Sequence, residues 1–234
     1  GSLRFAKISI SDVPASGGAF VPVHVSAPAG SLLNARPPAA VAAGNVETSS
    51  RIVDAVFAAF GRAIPVPAQG QGTMNNLTLG NDRFTYYETV GGGQGACPGA
   101  DGPSAVHVAM SNTLSTPAEA LELGYPLRVE RHALRLGSGG AGAHHGGDGV
   151  VREMRVLEPC RLSLVSERRR RAPQGAAAGE PGLAGRDFVN GEPLPAKVTR
   201  SLEAGDLVRV EAHQRVRLGV LIKQIECCLL DIKP

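Results

Sequence analysis

The chain has 234 residues, of which 43% are hydrophobic, so it is long enough to bury a core as one large domain or two small ones. Its formal net charge is only +3, which predicts neither a nucleic acid nor a membrane as a partner. No apolar run approaches the ~20 residues that a transmembrane helix needs, and the first residues lack the layout of a signal peptide.

Cysteine usage indicates the cellular compartment, and composition indicates the kind of fold. The four cysteines are Cys97, Cys160, Cys227 and Cys228, and adjacent cysteines rarely bridge each other. We therefore expect reduced thiols and a cytoplasmic protein. The chain contains 30 glycines, 17 prolines and no tryptophan, which predicts short elements joined by many tight turns.

The amino-terminal third predicts two strands and one helix. Alternation around a Gly-Gly turn predicts strands at Lys7–Ser11 and Phe20–Ser26. A helix should follow, with Asn45 as its cap, Glu47 in its first turn and Gly61 at its end. Its apolar stripe, which we expect to face the core, comprises Ile52, Val53, Val56, Phe57 and Phe60.

The middle of the chain is rich in turns. Between residues 70 and 102, FTYYETV (84–90) is the one good strand, and AVHVAMSN (105–112) alternates as a strand should. A short helix is then predicted, with Thr116 as its cap and Pro117 at its first helical position.

The last third predicts mainly strands. YPLRVERHALRL (125–136) reads as one long strand, and two more flank Glu158-Pro159. Residues 171–192 form a predicted loop region, and residues 196–212 a hairpin around Ala204-Gly205. Together these elements predict an α+β fold that is strand-rich, with mostly antiparallel sheets, few helices and many glycine-rich turns.

Two segments match the dinucleotide pattern G-x-G-x-x-G/A, at residues 91–96 and 137–142. That pattern holds phosphate only when a helix follows directly. The segments run instead into Cys97-Pro98-Gly99 and into His144-His145-Gly146-Gly147, and neither can begin a helix. We predict that these glycines serve positive φ angles or close backbone approach, and that the chain alone binds no ATP.

Several segments in order resemble the hydantoinase B/oxoprolinase family. Among them are AAVAAGNVETSSRIVDAVFAAFG, GTMNNLTLGN, YYETVGGGQGA, DGPSAVHVAMSNTLSTPAEALE, YPLRVERHALRLGSGGAG, GGDGVVRE and SLVSERRRRAPQG. The resemblance covers roughly residues 28–211. It suggests that residues 1–211 are the C-terminal portion of such a subunit and that residues 212–234 are a divergent tail.

The resemblance implies a partner and a reaction. Such subunits work in hetero-oligomers with a hydantoinase A-type partner that binds ATP with Mg²⁺, and together they hydrolyse a small cyclic amide such as 5-oxoproline or N-methylhydantoin. Related pairs carboxylate ketones, so a carboxylase subunit is one alternative. An inactive truncated scaffold or interaction module is the other. The family's chains are longer, and a divalent metal is expected in an N-terminal portion without counterpart here.

Hydrolysis of a cyclic amide needs an oriented water and stabilisation of developing negative charge. Polar residues on predicted loops and strand ends are the candidates. We assign Glu88, Asp101 and His107 as catalytic and Asn75, Asn76 and Asn112 as substrate-binding. The alternatives are a surface strand residue for Glu88, a histidine paired with backbone for His107, and a left-handed turn for Asn75 and Asn76.

Other polar clusters receive structural interpretations. His144 and His145, near Asp148, lie on a loop where neighbouring histidines point apart, so we assign no metal there. The run Glu167–Arg171 could attract phosphate or RNA. With no aromatic residues beside it, we interpret it as a solvated strand end or subunit contact. Cys97 adjoins the glycine run but has no base that sequence can place.

The tail differs in composition from the rest. From residue 212 onward, apolar residues alternate or recur at helical spacing, and Gly219 is the one glycine. We predict that the tail packs poorly on the domain and leaves Cys227 and Cys228 accessible to thiol reagents.

Overall fold

The structure, a computed structural model, describes residues 17–21 and 23–212. The strand predicted at Lys7–Ser11 and the tail beyond residue 212 lie outside this part. Gly17–Phe20 form a 3-10 turn, and the two α-helices of the described part are α1, Gly44–Phe60, and α2, Ala118–Gly124. Neither helix is long and apolar enough to cross a membrane.

The described part contains nine strands in two sheets. They are β1 Asn76–Gly80, β2 Thr85–Thr89, β3 Leu127–Arg135, β4 Gly149–Val156, β5 Cys160–Val165, β6 Arg186–Val189, β7 Glu192–Leu194, β8 Lys197–Leu202 and β9 Leu207–Glu211. One sheet has the order β2-β1-β5-β8 and the other β3-β4-β9-β6-β7, and every pairing is antiparallel. The predicted strand-rich α+β class is confirmed.

Both sheets contribute to one hydrophobic core. Leu77 and Leu79 of β1 are fully buried, as are Met154 of β4 and Val208 of β9. Leu121 brings α2 into the same cluster. The alternation of buried residues along β1, β5 and β9 is what a sheet with one face on a core requires.

Helix α1 departs from the prediction in its start and in its burial. Ala43, with φ 57°, is the N-cap and no side chain caps the helix, so the prediction that Asn45 caps it is wrong. Glu47 in the first turn and the end before Gly61 are confirmed. Phe57 is buried, but Ile52 is 39% exposed, because polar contacts rather than a continuous apolar face hold α1 to the rest of the fold.

Two predicted strands are absent from the described residues. In Phe20–Ser26, the 3-10 turn ends at Phe20 and the described residues that follow have no regular structure. Residues 105–112 form turns and irregular backbone, because Ala105 and Ala109 both adopt φ 55°, which breaks an extended chain. Helix α2 is confirmed, although Pro117 is its N-cap and Thr116 does not cap it.

In the last third, the strand pairing and the extent of the loop also differ from the prediction. The turn at Ala204-Gly205 exists, with φ 97° at Gly205, but β8 pairs with β5 while β9 pairs with β4 and β6, so no hairpin forms. The predicted loop 171–192 ends early, because Asn190-Gly191 turns β6 into β7 with φ 51° and 83°.

Candidate functional site

A cleft of about 1150 Å³ is lined by four segments of the chain: α1, residues 64–72, residues 94–98 and residues 107–112. Apolar side chains and a few polar groups converge there, as in small-molecule sites. The apolar lining includes Val53, Phe57, Ile64 and Val108. The polar lining is Ser50, Asp54, Gln94, His107 and Asn112.

The glycine run at residues 91–96 forms part of the cleft by close backbone approach. A Cβ on Gly95 would lie 1.9 Å from the Ala68 carbonyl oxygen, and one on Gly91 would lie 3.0 Å from that of Ala105. Gly93 has φ 92°. The interpretation that these glycines serve backbone geometry is confirmed.

The same run does not fit a phosphate site. The backbone N–H of Gly92 donates to Gln71 Oε1 at 2.8 Å, that of Gly93 to the Val106 carbonyl at 2.9 Å, and that of Gln94 to the Pro103 carbonyl at 3.1 Å. A turn from Cys97 to Ala100 follows instead of a helix. These amides are already used, so they cannot cradle phosphate oxygens.

His107 lies half-buried at the cleft. Burial lowers its pKa below the ordinary value, so the imidazole is neutral at pH 7. Nε2 lies 3.4 Å from Thr113 Oγ1, and Nδ1 is buried without a hydrogen-bond partner among residues 17–21 and 23–212. The predicted candidate Asn112 is exposed and lines the same cleft.

A buried charge cluster lies at the α1 side of the cleft. Asp54 Oδ2 accepts hydrogen bonds from Arg168 Nη2 at 2.5 Å and from Arg51 Nη1 at 2.9 Å. Arg168 also donates to Gln69 Oε1 at 2.9 Å. A Cβ on Gly72, whose φ is 63°, would lie 2.6 Å from Asp54 Oδ2, so only glycine fits beneath this cluster.

Arg168 and Arg169 have internal side chains, which corrects the interpretation of a solvated strand end for these two residues, whereas Arg170 and Arg171 are exposed. Arg168 is 6% exposed, and Arg169 binds Asp187 through two hydrogen bonds of 2.9 and 2.5 Å. Arg169 also donates to Asn75 Oδ1 at 2.7 Å. Arg168 and Arg169 are each paired with a buried aspartate that is distant in sequence, and this pairing could not be read from the run itself.

Asn75 and Asn76 are buried beside the cleft-forming segments and do not line the cleft. Asn75 adopts φ 48° and its Nδ2 donates to the Val90 carbonyl, which confirms the left-handed turn for Asn75, whereas Asn76 begins β1. Asn76 accepts from the Tyr87 hydroxyl at 2.7 Å and donates to Glu47 Oε1 at 3.4 Å. That oxygen also accepts from the Met74 N–H at 2.9 Å. Burial raises the pKa of Glu47.

Glu88 lies away from the cleft lining, in the interior between the sheets. Its Oε2 is 3.3 Å from Arg152 Nε, and both side chains are at most 4% exposed. Burial raises the pKa of Glu88, and the Arg152 guanidinium opposes the rise. This pair joins β2 of one sheet to β4 of the other. The alternative of a surface strand residue is wrong for Glu88.

Asp101 organises the histidine loop. Its Oδ1 accepts the His145 backbone N–H at 2.6 Å and lies 3.7 Å from His144 Nδ1. Among the residues that the structure describes, no group of three or more histidine, cysteine, aspartate or glutamate side chains could hold a metal ion.

Of the six predicted site residues, the structure therefore brings His107 and Asn112 to one cleft, and places Glu88, Asp101, Asn75 and Asn76 outside its lining. Sequence reasoning missed Asp54 and Gln94. The available signals were an aspartate within an apolar helix stripe and a glutamine within a glycine run.

The domain has an α+β fold with two sheets, and a closely packed glycine segment lines part of its cleft. The family model for hydantoinase B/oxoprolinase matches residues 3–213, and the chain belongs to that family.

Individual relatives are much longer than this chain. It is 43% identical over 204 residues to 5-oxoprolinase 1 of Arabidopsis thaliana, covering 85% of this chain and 16% of that protein. It is 29% identical over 209 residues to a Pseudomonas protein whose name describes it as a D-/L-hydantoinase B-type subunit, covering 84% of this chain and 35% of that one.

A solved structure shares the fold. The ATP-dependent caprolactamase of Pseudomonas jessenii superposes with a TM-score of 0.77 over 93% of this chain and 42% of that chain. At 23% sequence identity this similarity supports the architecture alone.

Proposed function

We propose that this chain supplies the amide-binding cleft of an ATP-dependent cyclic amide hydrolase of the hydantoinase/5-oxoprolinase type. The observation that carries the proposal is the cleft of this family's fold, where a neutral His107 lies among apolar side chains. Such a site suits a small ring with both methylene and amide groups.

In this proposal Val53, Phe57 and Val108 pack on the apolar part of the ring. The amides of Gln94 and Asn112 hydrogen-bond to its polar atoms. His107 hydrogen-bonds to the carbonyl oxygen of the reacting amide, where negative charge develops as water adds to the carbonyl carbon. The C–N bond then breaks, and a proton from the attacking water is transferred to the departing ring nitrogen.

The partner is the second part of the proposal. The glycine run at residues 91–96 does not fit a phosphate site, because the amides of Gly92, Gly93 and Gln94 are already hydrogen-bonded. We assign ATP and Mg²⁺ to a hydantoinase A-type subunit in a hetero-oligomer, which the name of the Pseudomonas relative supports. The cytoplasmic location remains a prediction from the sequence.

The test is a coupled assay of the full chain with a hydantoinase A-type subunit, ATP, and either 5-oxoproline or N-methylhydantoin. We expect ring opening, and a roughly 10²–10³-fold loss of kcat on His107→Ala, the usual effect of removing a group that stabilises developing charge. His132→Ala, on the exposed face of β3, is the matched control and should retain full activity. Equal activity in both variants would refute the role of His107.

Glu88→Gln in the same assay tests a second of the three catalytic candidates. The buried contact with Arg152 predicts a loss of stability. Lost turnover at unchanged stability would restore the catalytic assignment. Acetone with bicarbonate in place of the amide tests the carboxylase alternative.

A second candidate function, an interaction module without activity of its own, is favoured by one observation. Ile52 on α1 and Met110 and Leu114 beside the cleft are 39%, 52% and 96% exposed. If the chain binds the partner but only a longer relative opens the ring, the module is the correct description.

A further inference from the structure

The two ring nitrogens of His107 have different surroundings. Nδ1 is buried and lacks a hydrogen-bond partner in the described part of the chain. Nε2 makes an exposed contact of 3.4 Å with Thr113 Oγ1. Since His107 lines the cleft and its Nδ1 is buried, Nε2 is the ring nitrogen that is left for a ligand in the cleft.

A neutral imidazole carries one proton, on one nitrogen or the other. On Nδ1 it would be a buried N–H without an acceptor, an arrangement that folded proteins rarely tolerate. On Nε2 it is directed to the Thr113 hydroxyl oxygen. The surroundings therefore favour the Nε2–H tautomer.

Thr113 is itself held in place. Its hydroxyl contacts that of Thr89, which is 4% exposed on β2. The Thr113 backbone N–H donates to the Ser111 carbonyl at 2.9 Å. When the Thr113 O–H donates to Thr89, its lone pairs remain to accept from His107 Nε2–H. With the proton of His107 on Nε2, the hydrogen bonds run from the imidazole to Thr113 and from Thr113 to Thr89.

We propose that His107 acts on the cyclic amide as a neutral hydrogen-bond donor through Nε2–H, and that Thr113, anchored by Thr89, is the positioning residue that orients the ring. The inference rests on the proposed function and specifies how its central residue acts. A general base would need a lone pair at the Nε2 edge, and this tautomer has none there.

The length of the Thr113 contact suits this role. At 3.4 Å it is a long hydrogen bond, so an amide oxygen can take its place without a large loss. A neutral donor aimed at the oxygen stabilises charge that develops there without transferring a proton.

The test determines which ring nitrogen of His107 carries the proton, by ¹⁵N–¹H NMR of the full chain labelled in histidine. Six histidines contribute signals, and the signals of His107 are those that are missing from the His107→Ala spectrum. We expect a bare Nδ1 and a protonated Nε2 at pH 7. A protonated Nδ1 would overturn the proposal.

Thr113 variants supply the second readout. Thr113→Val should speed exchange of the Nε2 proton with water several-fold, and Thr113→Ser should restore the wild-type rate. Thr113 is exposed, so both variants should fold. An unchanged rate in Thr113→Val would show that Thr113 does not position the ring.

This NMR result does not depend on turnover. If the spectra agree with expectation but the coupled assay shows no ring opening, the proposed function fails and the tautomer stands. If ring opening is lost in His107→Ala but the spectra show Nδ1–H, the function stands and the donor role fails.

Discussion

The Glu47 carboxylate links helix α1 to the segment before β1 and to the start of β1. Its Oε1 accepts from the Thr73 hydroxyl at 3.0 Å, the Met74 N–H at 2.9 Å and Asn76 Nδ2 at 3.4 Å. Its Oε2 is buried and has no hydrogen-bond partner among the described residues. Burial therefore dominates and raises the pKa of Glu47, although the bonds to Oε1 oppose the rise.

This arrangement predicts that the contribution of Glu47 to the free energy of unfolding depends on pH. Because the folded-state pKa of Glu47 lies above 4.5, its ordinary value, the folded state binds more protons than the unfolded state between the two pKa values. Wild-type stability should fall as pH rises through that window. In Glu47→Gln this contribution is absent, so the free energy of unfolding of the variant minus that of wild type should increase from pH 4 to pH 7.

Urea unfolding at both pH values measures the difference. Glu203→Gln, on the exposed turn before β9, is the matched control for loss of one carboxylate. A Glu47→Gln difference that does not change with pH would contradict the account.

At the scale of elements, α1 is divided between a buried side and an exposed side. Phe57 is 7% exposed and reaches the cleft lining, whereas Ile52 is 39% exposed. We expect Phe57→Ala to lower the free energy of unfolding by about 3–5 kcal/mol, and Ile52→Ala by about 1 kcal/mol or less. Chemical denaturation measures both. Similar losses would mean that the apolar stripe is buried evenly.

Elements with strong local patterns were predictable. β3, β4, β5 and α2 follow from alternation, from Glu158-Pro159 and from a proline-led helix start. β1 was missed because Asn, Thr and Gly surround its two leucines. The β6–β7 hairpin was missed although Asn190-Gly191 is a strong turn signal.

Other errors came from backbone or tertiary effects that a pattern does not carry. Alternation at residues 105–112 fails because Ala105 and Ala109 turn the chain with positive φ. The sequences of β8 and β9 resemble a hairpin, but β8 pairs with β5 in one sheet and β9 pairs with β4 and β6 in the other.

For the whole molecule, the site is an assembly of distant residues, and this limits what sequence can predict. His107 and Asn112 were identified from residue type and family resemblance, and both line the cleft. The Asp54–Arg168 pair spans 114 positions, so neither partner predicts the other. The tail prediction, with Cys227 and Cys228 accessible, lies outside the described residues and stays a prediction.

The central claim is that the cyclic amide binds in this cleft, and Cys97 reports on it most directly. Cys97 is half-buried and lines the cleft, while Cys160 is buried in the core and serves as an internal control. The measurement is the rate of thiol modification at Cys97, read by peptide mass spectrometry in the complex with a hydantoinase A-type subunit. We predict that saturating 5-oxoproline or N-methylhydantoin slows modification of Cys97. A rate unchanged by an amide that the complex is hydrolysing would contradict the account.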